Sequence, residues 1–103
     1  MEKTRLTLQT ALEEFMGNRN VHYQPPASIK LKYPCILYEM SRINQIPADN
    51  RTYLKYKEYT LTIIHSDADS TLPDDILDTF EMIAFDRTYR ADGLYHDVFT
   101  IIW

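Results

Sequence analysis

Thr52-Tyr53-Leu54-Lys55-Tyr56-Lys57-Glu58-Tyr59-Thr60-Leu61-Thr62-Ile63-Ile64-His65 is rich in strand-forming residues and alternates at its end, with Tyr59, Leu61 and Ile63 on one face. Lys55, Lys57 and Glu58 keep the early part of the run in water. Upstream, Ile36 to Ile43 alternates as well. Ile36, Tyr38 and Met40 share one face and Leu37, Glu39 and Ser41 the other, the pattern of a strand buried more fully at its start. Between the two runs, Asn44 to Asn50 reads as a loop, because Pro47, Asp49 and Asn50 are turn formers, with Ile46 an apolar residue in polar company. The pair predicts an antiparallel hairpin whose outer end projects from the core.

Helical periodicity flanks this hairpin. From Thr4 to Met16, Leu8, Ala11, Leu12, Phe15 and Met16 recur at 3.6-residue spacing, and Gly17 follows where a left-handed cap belongs. Pro25-Pro26 and Tyr33-Pro34 forbid helix over Asn18 to Pro34, which leaves an irregular edge with room for a short strand near Val21 to Tyr23. After a polar turn at Asp67 to Ser70, Pro73 suits a first helical turn, and Ile76, Leu77, Phe80, Ile83 and Ala84 predict a second helix over Pro73 to Ala84. Phe85 to Tyr89 and Leu94 to Trp103 then read as two strands around Ala91-Asp92-Gly93, where Gly93 can take positive φ. The expectation is one domain over residues 1–103. Its fold is α+β, a mostly antiparallel sheet of strands in consecutive hairpins with two helices packed on it, in the order αβββαββ.

The 103 residues are 45% hydrophobic and 25% charged, as in an ordinary globular domain. A chain of this size buries only roughly two-thirds of its unfolded surface, so association would add materially to its stability. Met1 leads into Glu2, Lys3 and Arg5 with no apolar run, and no stretch approaches the roughly 20 apolar residues that span a bilayer, so neither export nor membrane contact is expected. Cys35, the single cysteine, lies in the apolar run Cys35-Ile36-Leu37-Tyr38 and reads as a small buried hydrophobe in a reducing compartment. The formal charge of −4 is unevenly spread. Arg19 to Lys57 carries seven Lys or Arg against Glu39 and Asp49, a net +5, whereas Glu58 to Asp97 carries ten acids against Arg87 and Arg90, a net −8. Such asymmetry suits head-to-tail association of copies.

No constellation for catalysis, metal or cofactor emerges. His65-Ser66-Asp67-Ala68-Asp69-Ser70 fails as a calcium loop, because an EF-hand begun at Asp67 would need Gly where Leu72 stands and Glu where Asp78 stands. Consecutive Ser, His and Asp point to opposite faces and cannot form a triad; the acids instead complement the start of the second helix. His22, His65 and His96 lack a second ligand at zinc spacing, although His96-Asp97 could approach another strand. With only Gly17 and Gly93, no phosphate-binding loop can form. Tyr53, Lys55, Tyr56, Lys57 and Tyr59, behind Arg51, resemble a base-stacking platform, but an acidic chain without a nucleic-acid motif makes strand packing and interface anchoring the better account. The expectation is a non-enzymatic assembly subunit.

Three ordered segments are similar to the tail completion, or tail terminator, proteins of long-tailed bacteriophages and prophages. The first is Val21-His22-Tyr23-Gln24-Pro25-Pro26 with Leu31-Lys32-Tyr33-Pro34-Cys35-Ile36-Leu37-Tyr38. The second is Tyr59-Thr60-Leu61-Thr62-Ile63-Ile64 with Asp67-Ala68-Asp69-Ser70 and Pro73. The third is Phe85-Asp86-Arg87-Thr88-Tyr89 with Ala91-Asp92-Gly93-Leu94-Tyr95-His96-Asp97-Val98-Phe99. The resemblance runs from about Leu8 to Trp103; Gly93 replaces a frequent Asn, and Tyr95 an expected polar residue.

The resemblance implies a homo-oligomeric ring, usually a hexamer, on the head-proximal end of the tail tube. Such a ring stops tube polymerisation and offers the head a joining surface. The implied partners are further copies, the major tail tube protein and a head-completion or connector protein, with no cofactor and no nucleic acid apart from the genome passing through. The implied place is the neck region of the virion tail, after assembly in the host bacterial cytoplasm. Candidate interface residues are Asn44, Gln45, Ile46, Arg51, Lys55, Lys57, Arg87 and Asp92. Two readings stay open beside it: another neck or head-completion connector subunit, and a monomeric prophage regulatory binding domain.

Overall fold

The computed structural model describes residues 3–48 and 52–103. Among them the chain forms helix α1 (Arg5–Met16), strands β1 (Val21–Tyr23), β2 (Cys35–Ala48) and β3 (Thr52–His65), helix α2 (Leu72–Thr79), and strands β4 (Ile83–Ala91) and β5 (Leu94–Ile102). The five strands make one sheet in the order β1-β2-β3-β5-β4. The fold is α+β with the expected element order. The strands are not all joined as consecutive hairpins, however: β1 runs parallel to β2, and β5 inserts between β3 and β4. None of the helices described is long and apolar enough to cross a membrane.

Helix α1 begins where Thr4 can cap it. The Thr4 hydroxyl accepts from the Thr7 N–H while the Thr7 hydroxyl accepts from the Thr4 N–H at 2.8 Å, so two otherwise unpaired donors are satisfied. It ends at Gly17, whose φ of 73° lets its N–H turn back to the Glu13 carbonyl at 2.9 Å. Leu8 and Leu12, one turn apart, bury the inner stripe against Ile36, Tyr38, Tyr59, Leu61, Ile63, Phe99 and Ile101 of the sheet, and Ile76 of α2 joins the same core. Both helices therefore cover one sheet face. The other face is mixed: Cys35, Ile64 and Val98 are buried, while Leu37, Thr60, Thr62 and Thr100 are partly exposed and Glu39 is exposed. Burial pushes the Cys35 thiol up to about 11, so it stays protonated and unreactive, as a core residue would.

Two boundaries differ from expectation. Asn44 to Asn50 is not a loop through its length: Asn44, Gln45, Ile46, Pro47 and Ala48 continue β2, paired with Tyr56, Lys55, Leu54, Tyr53 and Thr52. β1 ends opposite Tyr38, so this part of β2 is an edge, where a proline is tolerated, and the strand preference of the facing Tyr and Leu outweighs the turn signal. Helix α2 stops at Thr79, not Ala84. Phe80 is already extended (φ −106°, ψ 142°), and Ile83 and Ala84 pair with Ile101 and Thr100 of β5. Their spacing fits both periods, and the ladder wins because it satisfies backbone groups along the full length of β5. The β4–β5 turn has positive φ at Asp92 (54°) as well as Gly93 (76°), the two-residue geometry that matches strand twist.

Candidate assembly surface

The β2–β3 hairpin outruns the rest of the sheet. β5 pairs with β3 only from His65 back to Glu58, and β1 reaches only Tyr38, so beyond these points no further strand joins β2 or β3 among the described residues. The last link to the body is the Trp103 N–H donating to the Lys57 carbonyl at 3.0 Å. What remains, from Ile43 to Ala48 and from Thr52 to Lys57, is a two-stranded ribbon that gives the molecule its extent of 51 Å against 26 and 23 Å across.

A bulge between Met40 and Arg42 sets the phase of this ribbon. Ser41 fills it, donating its hydroxyl to the Glu58 carbonyl at 2.9 Å. Past the bulge, Ile43, Gln45, Lys55 and Lys57 point to the helix side, and Asn44, Ile46 and Tyr56 to the other. Each side therefore presents one exposed isoleucine: Ile43 is 53% and Ile46 46% accessible. Lys55 and Lys57 form no ion pair among the described residues, whereas Arg42 meets Glu58 at 2.9 Å at the root. An isolated two-stranded hairpin is marginal in water. A ribbon built of strand formers, with apolar groups on both sides, gains stability from a surface to lie on.

The opposite end of the sheet is acidic. β3 runs away from the ribbon to His65, so Asp67 and Asp69 in the next turn, Asp74 and Asp75 in the first turn of α2, and Asp92 beyond the His65–Tyr95 pair all gather there. Arg19, Lys32 and Arg90 lie toward the same end, outnumbered by these five acids. The Arg90 guanidinium sits over the Tyr95 ring at 4.7 Å and donates to the Gly93 carbonyl at 3.3 Å. The strand directions thus turn the charge asymmetry of the sequence into a basic ribbon and an acidic pole.

Of the anticipated interface residues, Asn44, Gln45, Ile46, Lys55 and Lys57 come together on the ribbon; Arg51 lies outside the described residues. Arg87 and Asp92 do not join them. Arg87 stands on β4, 2.6 Å from Asp86 and over the Tyr89 ring at 5.9 Å, and Asp92 occupies the β4–β5 turn. Strand β4 itself is exposed from Ala84 to Arg90, including Phe85 at 49%.

Sequence reasoning missed one buried polar group. Imidazole Nε2 of His65 lies 2.6 Å from Oδ2 of Asp97, and the Thr88 hydroxyl donates to Oδ1 at 2.7 Å. Tyr95 stacks on the imidazole at 5.5 Å. The contact places a proton between Nε2 and the carboxylate, and leaves Nδ1 buried without a partner among the described residues. No hydroxyl or thiol nucleophile bonds to this imidazole among the described residues, and no group of three metal-ligating side chains forms among them. The trio is a polar plug that fixes the register of β3, β5 and β4. Replacing Asp97 by Ala leaves the buried His65 imidazole and the exposed Thr88 hydroxyl without their acceptor and is expected to cost about 1–3 kcal/mol in urea unfolding, with Asp97→Asn recovering part of the loss because it keeps one acceptor. A signal was present: His65 continues the Tyr59, Leu61, Ile63 stripe, and Asp97 is in phase with Phe99 and Ile101.

A shallow groove on the helix-free face is lined by Gln24, Pro25, Leu37, Tyr38, Glu39, Thr60 and Thr62, with Glu39 the one carboxylate among these lining residues. Comparison with protein-family models and with curated proteins finds no match to this chain.

Proposed function

We propose that this chain is the ring subunit that closes the head-proximal end of a phage tail tube, stopping polymerisation and presenting the surface to which the head is joined. The observation that carries this reading is the β2–β3 ribbon, which extends past the sheet with exposed Ile43 and Ile46 and with Lys55 and Lys57, which form no ion pair among the described residues. The ordered resemblance of the three sequence segments to tail terminators supplies the particle and the partners. A ribbon of this kind can lie on the tube end or on a neighbouring copy, while the body, with a different surface, denies the next tube subunit a matching layer. The mechanism is steric and needs no turnover.

The test is a polymerisation assay with the tube protein of the same particle. Added in amounts far below the tube protein, the chain is expected to stop elongation and to appear as extra density at one end of each tube in electron micrographs. Tubes that keep growing, with the protein bound only to head connectors, would move it to another neck layer. A monomer that leaves tubes alone and binds single-stranded nucleic acid in a salt-dependent way would replace the reading altogether.

A further inference from the structure

The sheet has a second unfinished feature, the outer edge of β4. No strand pairs with it among the described residues, although β4 is nine residues long and exposed from Ala84 to Arg90. Phe85 and Met82 flank it with apolar surface, at 49% and 57% accessibility. Edge strands left in this state pair with other chains unless they are short, covered, strongly charged, bulged or interrupted by proline; β4 contains no proline, and its charges (Asp86, Arg87, Arg90) and the bulge between Phe85 and Arg87 restrict which partner edge can match it.

We propose that the open edge of β4 accepts the β2 edge of a second copy's ribbon as an antiparallel strand. This rests on the ring reading given above and names the partner surface within it. Three observations favour a second copy. The polarity is right: β2 and β4 run in opposite directions within the sheet, so copies that share one orientation bring β2 antiparallel to a neighbour's β4. The ribbon supplies a free β2 edge from Met40 to Ile46, next to Pro47, which lacks an N–H. The charges complement, since the ribbon carries Lys55 and Lys57, with Arg42 and Glu58 paired at its root, while Asp78, Glu81, Asp86 and Asp92 outnumber Arg87 and Arg90 in and beside β4.

The levels of the two edges set the geometry. β4 lies level with the body half of β2, because Ile83 aligns through Ile101 and Tyr59 with Met40. Pairing with the ribbon therefore displaces each neighbour along the strands by roughly six residues, about 20 Å at 3.3 Å per residue. A constant stagger of this kind closes into a ring when the strands tilt against the ring axis, as in any closed sheet.

The experiment combines Ala84→Cys on one tagged population with Asn44→Cys on another. Both lie on the helix-free side, and the buried Cys35 leaves background labelling low. Treated with a short bismaleimide in the assembled state, the mixture is expected to give crosslinked pairs containing one copy of each, and neither variant alone to do so. Amide hydrogen exchange on the unmodified chain adds a reading without mutation: amides of residues 84–90 are expected to slow by about tenfold or more on assembly. Unchanged exchange there, or crosslinks only between identical variants, overturns the pairing. A protein that caps tubes but fails both tests keeps the ring and loses this interface. One that crosslinks as expected but leaves tubes uncapped keeps the interface and loses the tube.

Discussion

Replacing residues 45–55 by Asn-Gly, so that the hairpin closes between Asn44 and Tyr56, is expected to leave the thermal midpoint within a few degrees of the parent while, on the proposed tail-closing role, abolishing completion of infectious particles. The removed segment shares no strand pairing with β1 or β5, and the core packs through Tyr38, Tyr59 and their neighbours nearer the body. Asn44 and Tyr56 face each other in the ladder, so a two-residue turn fits between them. Binding suffers because Ile46 and Lys55 go with the segment. Two central anchors each costing about 2 kcal/mol or more make the affinity for the tube end or neighbour fall roughly a thousandfold. Complementation of a deletion phage measures the outcome, and plaque yields equal to the parent's would remove the ribbon from the mechanism.

Phe99→Ala is the opposite experiment, a change in the core of the body and not on the ribbon. Phe99 is fully buried between Leu61 on β3 and Phe85 on β4, with the Phe85 ring edge-on at 5.6 Å. Truncating it removes an aromatic side chain from a close-packed site and leaves a cavity, which costs about 3–5 kcal/mol. In a domain of about 100 residues each kcal/mol moves the midpoint by roughly 4–8 °C, so a fall of at least about 12 °C is expected in a calorimetric scan. Phe85→Ala should cost distinctly less, because half of that ring already meets water. Equal losses from the two substitutions would mean that Phe85 is covered by something in solution, and an assembled edge would be the first suspect.

The parts of the molecule that were legible in the sequence are those governed by neighbours in the chain. Thr4, the Leu8 and Leu12 spacing and Gly17 define α1 locally, and the structure places its start and end as those residues dictate. The alternation of Tyr59, Leu61 and Ile63 likewise marks the buried face of β3. What was illegible depends on strands far apart in sequence. Ile83 and Ala84 fit a helix until β5 supplies a ladder for them, and Pro47 suggests a loop until the edge position of β2 makes it harmless. The His65–Asp97–Thr88 contacts need the register of three strands, which no local pattern specifies. The interface residues divide the same way. Those on the ribbon are near each other in the hairpin and were found together, while Arg87 and Asp92 were grouped with them although β4 lies at the other side of the sheet.

The bulge at Ser41 has a consequence for how such a protein can change over generations. Because the alternation of β2 is reset there while that of β3 runs through, the β2 half of the ribbon faces out of phase with its own body half. Adding one residue to each strand beyond Ser41 would lengthen the reach by about 3.3 Å and reverse which groups the tip presents, with no layer of the core disturbed. Specificity for a new docking site can therefore drift by small insertions at the tip, while the folding of the domain stays under separate selection.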